Sequence, residues 1–211
     1  MSEAANAPDV AQPESFAFTV ENLAKARAII AKYPPGRQAS AVLGLLDLAQ
    51  RQHDNWLPRA AMDVVADMLE IARIRVYEVA TFYTMFNLKP VGRYLLQICT
   101  TTPCWLRGST EVVAACERKL GITMRETTPD GLFTMTEVEC LGGCVNAPII
   151  QVNDDFYEDL DARSTEALLD ALSRGEKPPV GSVRGRQGSA PEGGKTTLNE
   201  TGLAGDPNAR G

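Results

Sequence analysis

Two pairs of cysteines constrain this chain more than any other feature. Cys99 and Cys104 form a C-x4-C, Cys140 and Cys144 a C-x3-C, and 35 residues separate the pairs. Four thiolates delivered by two loops make a metal site, so the fold must bring distant segments to one place. Zinc and a [2Fe–2S] cluster both accept four cysteine sulfurs at spacings like these, and spacing leaves the metal open. The loops themselves carry almost no charge. Thr100-Thr101-Thr102-Pro103 fills the first, Leu141-Gly142-Gly143 the second, and Val145-Asn146-Ala147-Pro148 follows. Small uncharged residues leave backbone N–H groups free to approach a cluster and donate to its sulfurs.

The 211 residues are 44% apolar, enough for a real core, and the formal net charge is −6. An acidic chain lacks the basic surface that nucleic acid or an anionic membrane requires, so proteins are the expected partners. The N-terminal residues show no apolar signal core and no basic side chain before Lys25, and nowhere does the chain run apolar for the roughly 20 residues that span a bilayer. The expectation is a soluble intracellular protein without direct membrane insertion. In a reducing compartment clustered cysteines read as metal ligands rather than disulfides. Cys116 shares a helical face with Val112, Val113 and Leu120 and reads as a buried core residue. His53, the single histidine, falls in the polar run Gln52-His53-Asp54-Asn55 and reads as a solvated loop residue. Asp154-Asp155 reads as a hairpin tip rather than an acid–base pair. No Gly-rich dinucleotide fingerprint follows a strand, so this chain by itself should bind neither NADH nor flavin.

Periodicity divides the chain. Residues 1–15 read as a flexible leader, 16–90 as a small helical bundle, 91–180 as an α/β domain, and 181–211 as a disordered tail. That tail holds eight of the 17 glycines, too little apolar surface to offset its ordering entropy, and its deletion is expected to leave metal content intact. In the bundle, Thr19 caps a first helix with Leu23, Ala26, Ile29, Ile30 and Tyr33 inward, ended by Pro34-Pro35-Gly36. A second helix carries Val42, Leu45, Leu46 and Ala49. A third opens near Pro58 with Met62, Val65, Ala66 and Leu69. A fourth spans about 75–86, with Val76, Val79, Ala80 and Tyr83 on a stripe flanked by Phe82 and Phe86. Beyond it the order β-α-β-β-β-β-α is expected. A strand from Tyr94 delivers Cys99, a helix runs from Ser109 to Gly121, and a weak strand lies near 123–127. A strand over 132–138 then delivers Cys140, a hairpin spans 149–160, and a last helix starts at Ser164 or Thr165. If the two cysteine-bearing strands are neighbours in one sheet, their loops emerge together.

Three runs add a resemblance. Tyr77-Glu78-Val79-Ala80-Thr81-Phe82-Tyr83-Thr84-Met85-Phe86, the Cys99–Leu106 loop with Arg107-Gly108, and Cys140-Leu141-Gly142-Gly143-Cys144-Val145-Asn146-Ala147-Pro148 resemble, in order, the thioredoxin-like [2Fe–2S] ferredoxin family that supplies the 24 kDa subunit of respiratory complex I. The likeness covers about residues 16–180. It implies an α+β architecture, a small helical bundle followed by a thioredoxin-like ferredoxin domain, with one [2Fe–2S] cluster on Cys99, Cys104, Cys140 and Cys144 and no catalytic residue of its own. It also implies an adjoining flavoprotein subunit that binds FMN and NADH. The setting would be a membrane-associated NADH:quinone oxidoreductase at the inner face of a bacterial inner membrane, or on the matrix side in a mitochondrion. Related subunits serve NAD-linked formate dehydrogenases and NAD-reducing hydrogenases, and a zinc-stapled interaction module is the remaining alternative. The family often carries alanine where Gly143 stands, a difference expected to loosen the loop without touching a ligand.

Overall fold

A computed structural model describes residues 11–186. It divides into two compact units, the first reaching Arg93 and the second starting at Tyr94. The expected leader and tail lie largely outside the described residues.

The first unit is helical because its apolar residues recur at helical spacing. Helices α1 (Val20–Ile30), α2 (Val42–Gln52), α3 (Arg59–Leu69) and α4 (Arg73–Phe82) bury Ala26, Leu45, Leu46, Ala49, Val65, Ala66, Leu69, Val76 and Ala80 in one core. Thr19 caps α1 as its position suggests: its hydroxyl accepts from the Asn22 N–H at 3.2 Å. Gln50 is buried and satisfied at both ends of its amide. It donates to the Met85 carbonyl at 3.0 Å and accepts from the Asn87 N–H at 2.7 Å, tying α2 to the chain after α4.

Three readings of this unit need correction. Tyr33 is exposed, because α1 ends three residues before it. Helix α4 stops at Phe82, where Tyr83 turns extended, so the stripe never reaches Tyr83, and Phe82 is left 77% exposed while Phe86 enters the core. His53 is half-buried rather than solvated: its ring lies 4.8 Å from Trp56 and 6.3 Å from Phe16, with Nδ1 buried and unpartnered.

The second unit is a five-stranded mixed sheet with its long helices packed on one face. In space the strands run β2 (Phe133–Val138), β1 (Tyr94–Cys99), β3 (Ile150–Val152), β4 (Asp155–Glu158) and β5 (Gly181–Ser182). The pairs β1/β2 and β4/β5 are parallel, and β1/β3 and β3/β4 antiparallel. Alternation sets the buried face: Leu96 and Ile98, Ile150 and Val152, Phe133 and Met135 meet Val112 and Cys116 of α6 (Ser109–Leu120) and Leu168, Leu169 and Leu172 of α7 (Ala162–Ser173). Cys116 lies fully inside this core.

Several boundaries differ for local reasons. A short helix α5 (Thr102–Leu106), absent from the expected order, carries Cys104. Residues 123–127 form no strand. Arg125 at φ +70° breaks the extended run, leaving a single bridge from Thr127 to Thr134. Helix α7 starts earlier than expected because Asp161, not Ser164, is its cap. The Asp161 carboxylate accepts from the Ser164 N–H at 2.7 Å and the Ser164 hydroxyl accepts from the Asp161 N–H at 2.8 Å, a reciprocal box that sends Thr165 into the interior. The hairpin turns at Asn153-Asp154, with Asn153 at φ +54°, whereas Asp155 pairs with Val152 in the ladder and meets Lys177 at 3.0 Å.

The largest correction is at residue 181. Gly181–Ser182 add a strand to β4, and Arg186 folds back on Asp159. Asp159 is 2% exposed, and burial alone pushes its pKa up. Hydrogen bonds from the Ser182 hydroxyl and the Arg186 guanidinium, with the charges of Arg186 and Arg184, outweigh that and hold the carboxyl below its ordinary range. A carboxylate lowered in the folded state contributes stability that is fully present above its unfolded pKa and is lost as pH falls through the lowered value. Asp159→Asn is therefore expected to cost about 3 kcal/mol at neutral pH, toward the low end for breaking a buried pair because Arg186 is partly exposed. Denaturant titrations below about pH 4 should show a shallower loss of stability in the variant than in the native chain. Parallel curves would remove the assignment.

Candidate metal centre

Strand pairing brings the cysteines together. Cys99 ends β1 and stands in register with Val138 at the end of the parallel neighbour β2, and Cys140 follows two residues later. Because the strands point the same way, the segments leaving them emerge at one end of the sheet. The first enters α5, where Pro103 occupies the opening turn and Cys104 turns inward, buried. The second passes Leu141, Gly142 and Gly143 to a 3-10 turn, Cys144–Asn146. Gly142 holds φ +84°, a left-handed backbone that a side chain strains, and this lets its N–H donate to Cys140 Sγ at 3.4 Å.

The two loops also meet. Leu141 of the second packs against the buried cluster that holds Cys99 and Cys104 of the first. Thr101 Oγ1 lies 3.2 Å from Cys99 Sγ. Cys99 and Cys104 pack with Ala147 and Ile149 in a small apolar cluster, partly closed by Leu141 and Phe156. This side is dry, while Cys140 is exposed and Cys144 half-exposed.

Each pair holds one thiol shifted to lower pKa and one shifted to higher. Burial pushes the Cys99 thiol up, but Thr101, the Leu141 N–H and Cys104 together bring it below its usual value. Its partner Cys104 is pushed up to about 12, first by burial and then by the neighbouring Cys99. In the second pair the sulfurs are 3.2 Å apart; hydrogen bonds from Cys144 and Gly142 lower Cys140, and the same contact raises Cys144. Among the described residues no three Cys, His, Asp or Glu side chains surround one metal position. A [2Fe–2S] cluster takes four thiolates, two on each iron, the donor set that Cys99 with Cys104 and Cys140 with Cys144 would supply.

Sequence spacing finds the four cysteines but not what surrounds them. The one local signal for the helical seat of Cys104 is Pro103 in its opening turn, while Thr101 at the cap position makes no capping hydrogen bond. Ile149, the floor of the site, carries no distinguishing signal. It also changes the meaning of Gly143. A Cβ there would stand 2.6 Å from Ile149 Cδ1, so the glycine makes room for a buried side chain.

Two measurements test this geometry. Gly143→Ala is expected to cost about 1–2 kcal/mol through overpacking, and Ile149→Val, which removes the Cδ1 methyl, should abolish most of that cost in the double variant. Additive effects would show that the methyl is not the obstacle. In metal-free protein, timed iodoacetamide labelling read by mass spectrometry should modify Cys140 first, since it is exposed with a lowered pKa, and Cys116 last, since it is buried with a thiol raised to about 12.

Comparison with known proteins identifies the family. The family described as thioredoxin-like [2Fe-2S] ferredoxin matches residues 26–173. A Rickettsia felis protein named as a subunit of NADH-quinone oxidoreductase is 58% identical over 159 residues, which is 75% of this chain and 95% of that protein. A Dictyostelium discoideum protein named NADH dehydrogenase [ubiquinone] flavoprotein 2, mitochondrial, is 52% identical over 185 residues, 88% of this chain and 75% of its own. Among solved structures, an NAD+-reducing [NiFe]-hydrogenase in the H2-reduced state shares the fold at TM-score 0.55 and 20% identity, over 62% of this chain and 23% of that one. With four cysteines on two loops at one end of its sheet, the chain belongs to the thioredoxin-like [2Fe–2S] ferredoxin family.

Proposed function

We propose that this chain is the electron-transfer subunit of an NADH:quinone oxidoreductase, holding one [2Fe–2S] cluster on Cys99, Cys104, Cys140 and Cys144 beside a flavoprotein subunit that carries FMN and NADH. The observation that carries the reading is the meeting of the two cysteine loops at the shared end of β1 and β2, where Leu141 of the second loop packs against Cys99 and Cys104 of the first. The strong likeness to a relative named as a subunit of that enzyme, over nearly its whole length, supports the setting.

When bound, the cluster supplies one-electron exchange, which lets a hydride-accepting flavin pass its electrons on singly. This chain's residues shape that exchange. The four thiolates would hold the irons, the Gly142 N–H donates to Cys140 Sγ, and Ile149 and Ala147 exclude water from the inner side. Cys140 and Cys144 stand toward solvent, and around this end Trp105, Leu106 and Val145 are 61%, 70% and 54% exposed. An apolar rim beside the accessible cysteines suits a protein partner that brings its flavin close and excludes water. Among the described residues no helix is long and apolar enough to cross a membrane. We place the subunit at the periphery of the complex, on the cytoplasmic side of a bacterial inner membrane.

Anaerobically purified protein should contain about two irons and two acid-labile sulfides per chain and give an EPR signal on reduction with dithionite. Serine at Cys99, Cys104, Cys140 or Cys144 should remove or alter that signal. Cys116→Ser should keep it, at a stability cost of about 1–3 kcal/mol for burying a hydroxyl in the core. Stoichiometric zinc without sulfide, or a cluster lost only in Cys116→Ser, would overturn the proposal.

A further inference from the structure

We propose that residues 181–186 act as a strap on the second cysteine loop, with Arg186 as the positioning residue that fixes Val145 and Asn146 directly after Cys144. The inference rests on the reading of Cys140 and Cys144 as cluster ligands.

The loop needs an external hold. Gly142 and Gly143 give it the least restricted backbone available, and Cys140 is exposed. Its far end is gripped instead. Asn146 is 1% exposed and held at three points: its carbonyl accepts from the Asp159 N–H at 2.7 Å, its Nδ2 donates to Glu158 Oε2 at 2.7 Å, and its Oδ1 accepts from Arg186 Nη2 at 2.5 Å. The same Arg186 Nη2 reaches the Val145 carbonyl at 2.8 Å and Asp159 Oδ1 at 3.0 Å, while Nε donates to Asp159 Oδ2 at 3.1 Å. Ser182 completes the clasp. Its hydroxyl donates to Asp159 Oδ2 at 2.6 Å and accepts the backbone N–H groups of Arg184 at 3.1 Å and Arg186 at 3.2 Å.

A two-residue strand such as β5 gives little hold by itself, so the side chains fasten the segment. The planar guanidinium is suited to this, since it binds a carboxylate in two-point fashion and still has a donor for the loop. Asp159 pays for the arrangement with a buried carboxylate and a left-handed backbone at φ +57°. Arg186 thus acts through Val145 and Asn146, touching no cysteine among its hydrogen-bond partners. By fixing the residues next to Cys144 it keeps the Gly142 N–H aimed at sulfur, and its positive charge favours the added electron of a reduced cluster.

Arg186→Ala, Arg186→Lys and a control, Lys177→Ala, are compared in the full-length chain, with and without the cluster. Amide exchange across residues 140–147 in Arg186→Ala should rise about tenfold or more relative to β1, as expected when charge-assisted hydrogen bonds are lost locally. Iron release to a chelator should quicken, and the midpoint in an EPR-monitored redox titration should fall. Arg186→Lys, which keeps the charge but not the fork, should lie between, and Lys177→Ala should match the native chain. If Arg186→Ala does not fold, Ser182→Ala loosens the clasp without unpairing the carboxylate and should give a smaller rise over the same residues. Native exchange and release in Arg186→Ala would overturn the proposal, and so would a rise shared equally by β1, since that marks a general structural prop. A chain that takes up no cluster, yet whose exchange over 140–147 still depends on Arg186, would leave the strap standing and remove the cluster reading instead.

Discussion

The parallel pairing of β1 with β2 is the constraint on which the rest of this structure depends. In register from Tyr94 with Phe133 to Cys99 with Val138, it sends both cysteine loops out of one end of the sheet. An antiparallel pair could be closed by a tight turn, but it would put the two exits at opposite ends. A parallel pair needs a crossover of a dozen or more residues. That requirement accounts for the 35 residues between the cysteine pairs: α5 seats Cys104, α6 makes the return journey, and the Thr128–Gly131 turn redirects the chain into β2. The crossover does more than connect. Val112 and Cys116 of α6 pack with Leu168 and Leu169 of α7 on the sheet and supply apolar burial that holds the parallel pair in place.

The far side of the site depends on the β3–β4 hairpin. Ile149 stands just before β3, forms the floor beneath Cys99 and Cys104, and occupies the space that Gly143 leaves open. Asp159 leaves β4 with a left-handed backbone and meets the chain returning from α7. One short hairpin therefore supplies both the apolar backing of the inner thiols and the buried anion that fastens the outer loop. The asymmetry has a chemical consequence. The inner pair is dry and buried and the outer pair wet, so access to the centre is from the Cys140–Cys144 side.

Legibility followed the range of the interaction. The four helices of the first unit were readable because helical periodicity and capping are local, and Thr19 and Pro58 flank their helices where sequence places them. Errors arose where two local signals competed or where a partner lay far away. Ser164 and Asp161 are both good caps, and the reciprocal box chose Asp161. Arg125 gave no warning of its positive φ, since a long side chain is an uncommon occupant of that region. The glycine-rich composition beyond residue 180 pointed to disorder, yet one arginine in that stretch finds a buried aspartate 27 positions earlier.

By itself the sequence determined the donor set on offer, four thiols in two short-spaced pairs within small uncharged loops, and the family to which the chain belongs. It also determined the four helices of the first unit, whose hydrogen bonds close within a few residues. Only the tertiary structure decided that Leu141 of one loop packs on Cys99 and Cys104 of the other, that Cys104 lies buried while Cys140 faces solvent, that Gly143 yields space to Ile149, and that Arg186 reaches Asn146. Each of those facts depends on strand register and on packing between residues that are mostly far apart in the chain. Local propensity carries no information about such pairings, because the free energy that selects them comes from surfaces buried only when the whole sheet and its helices assemble.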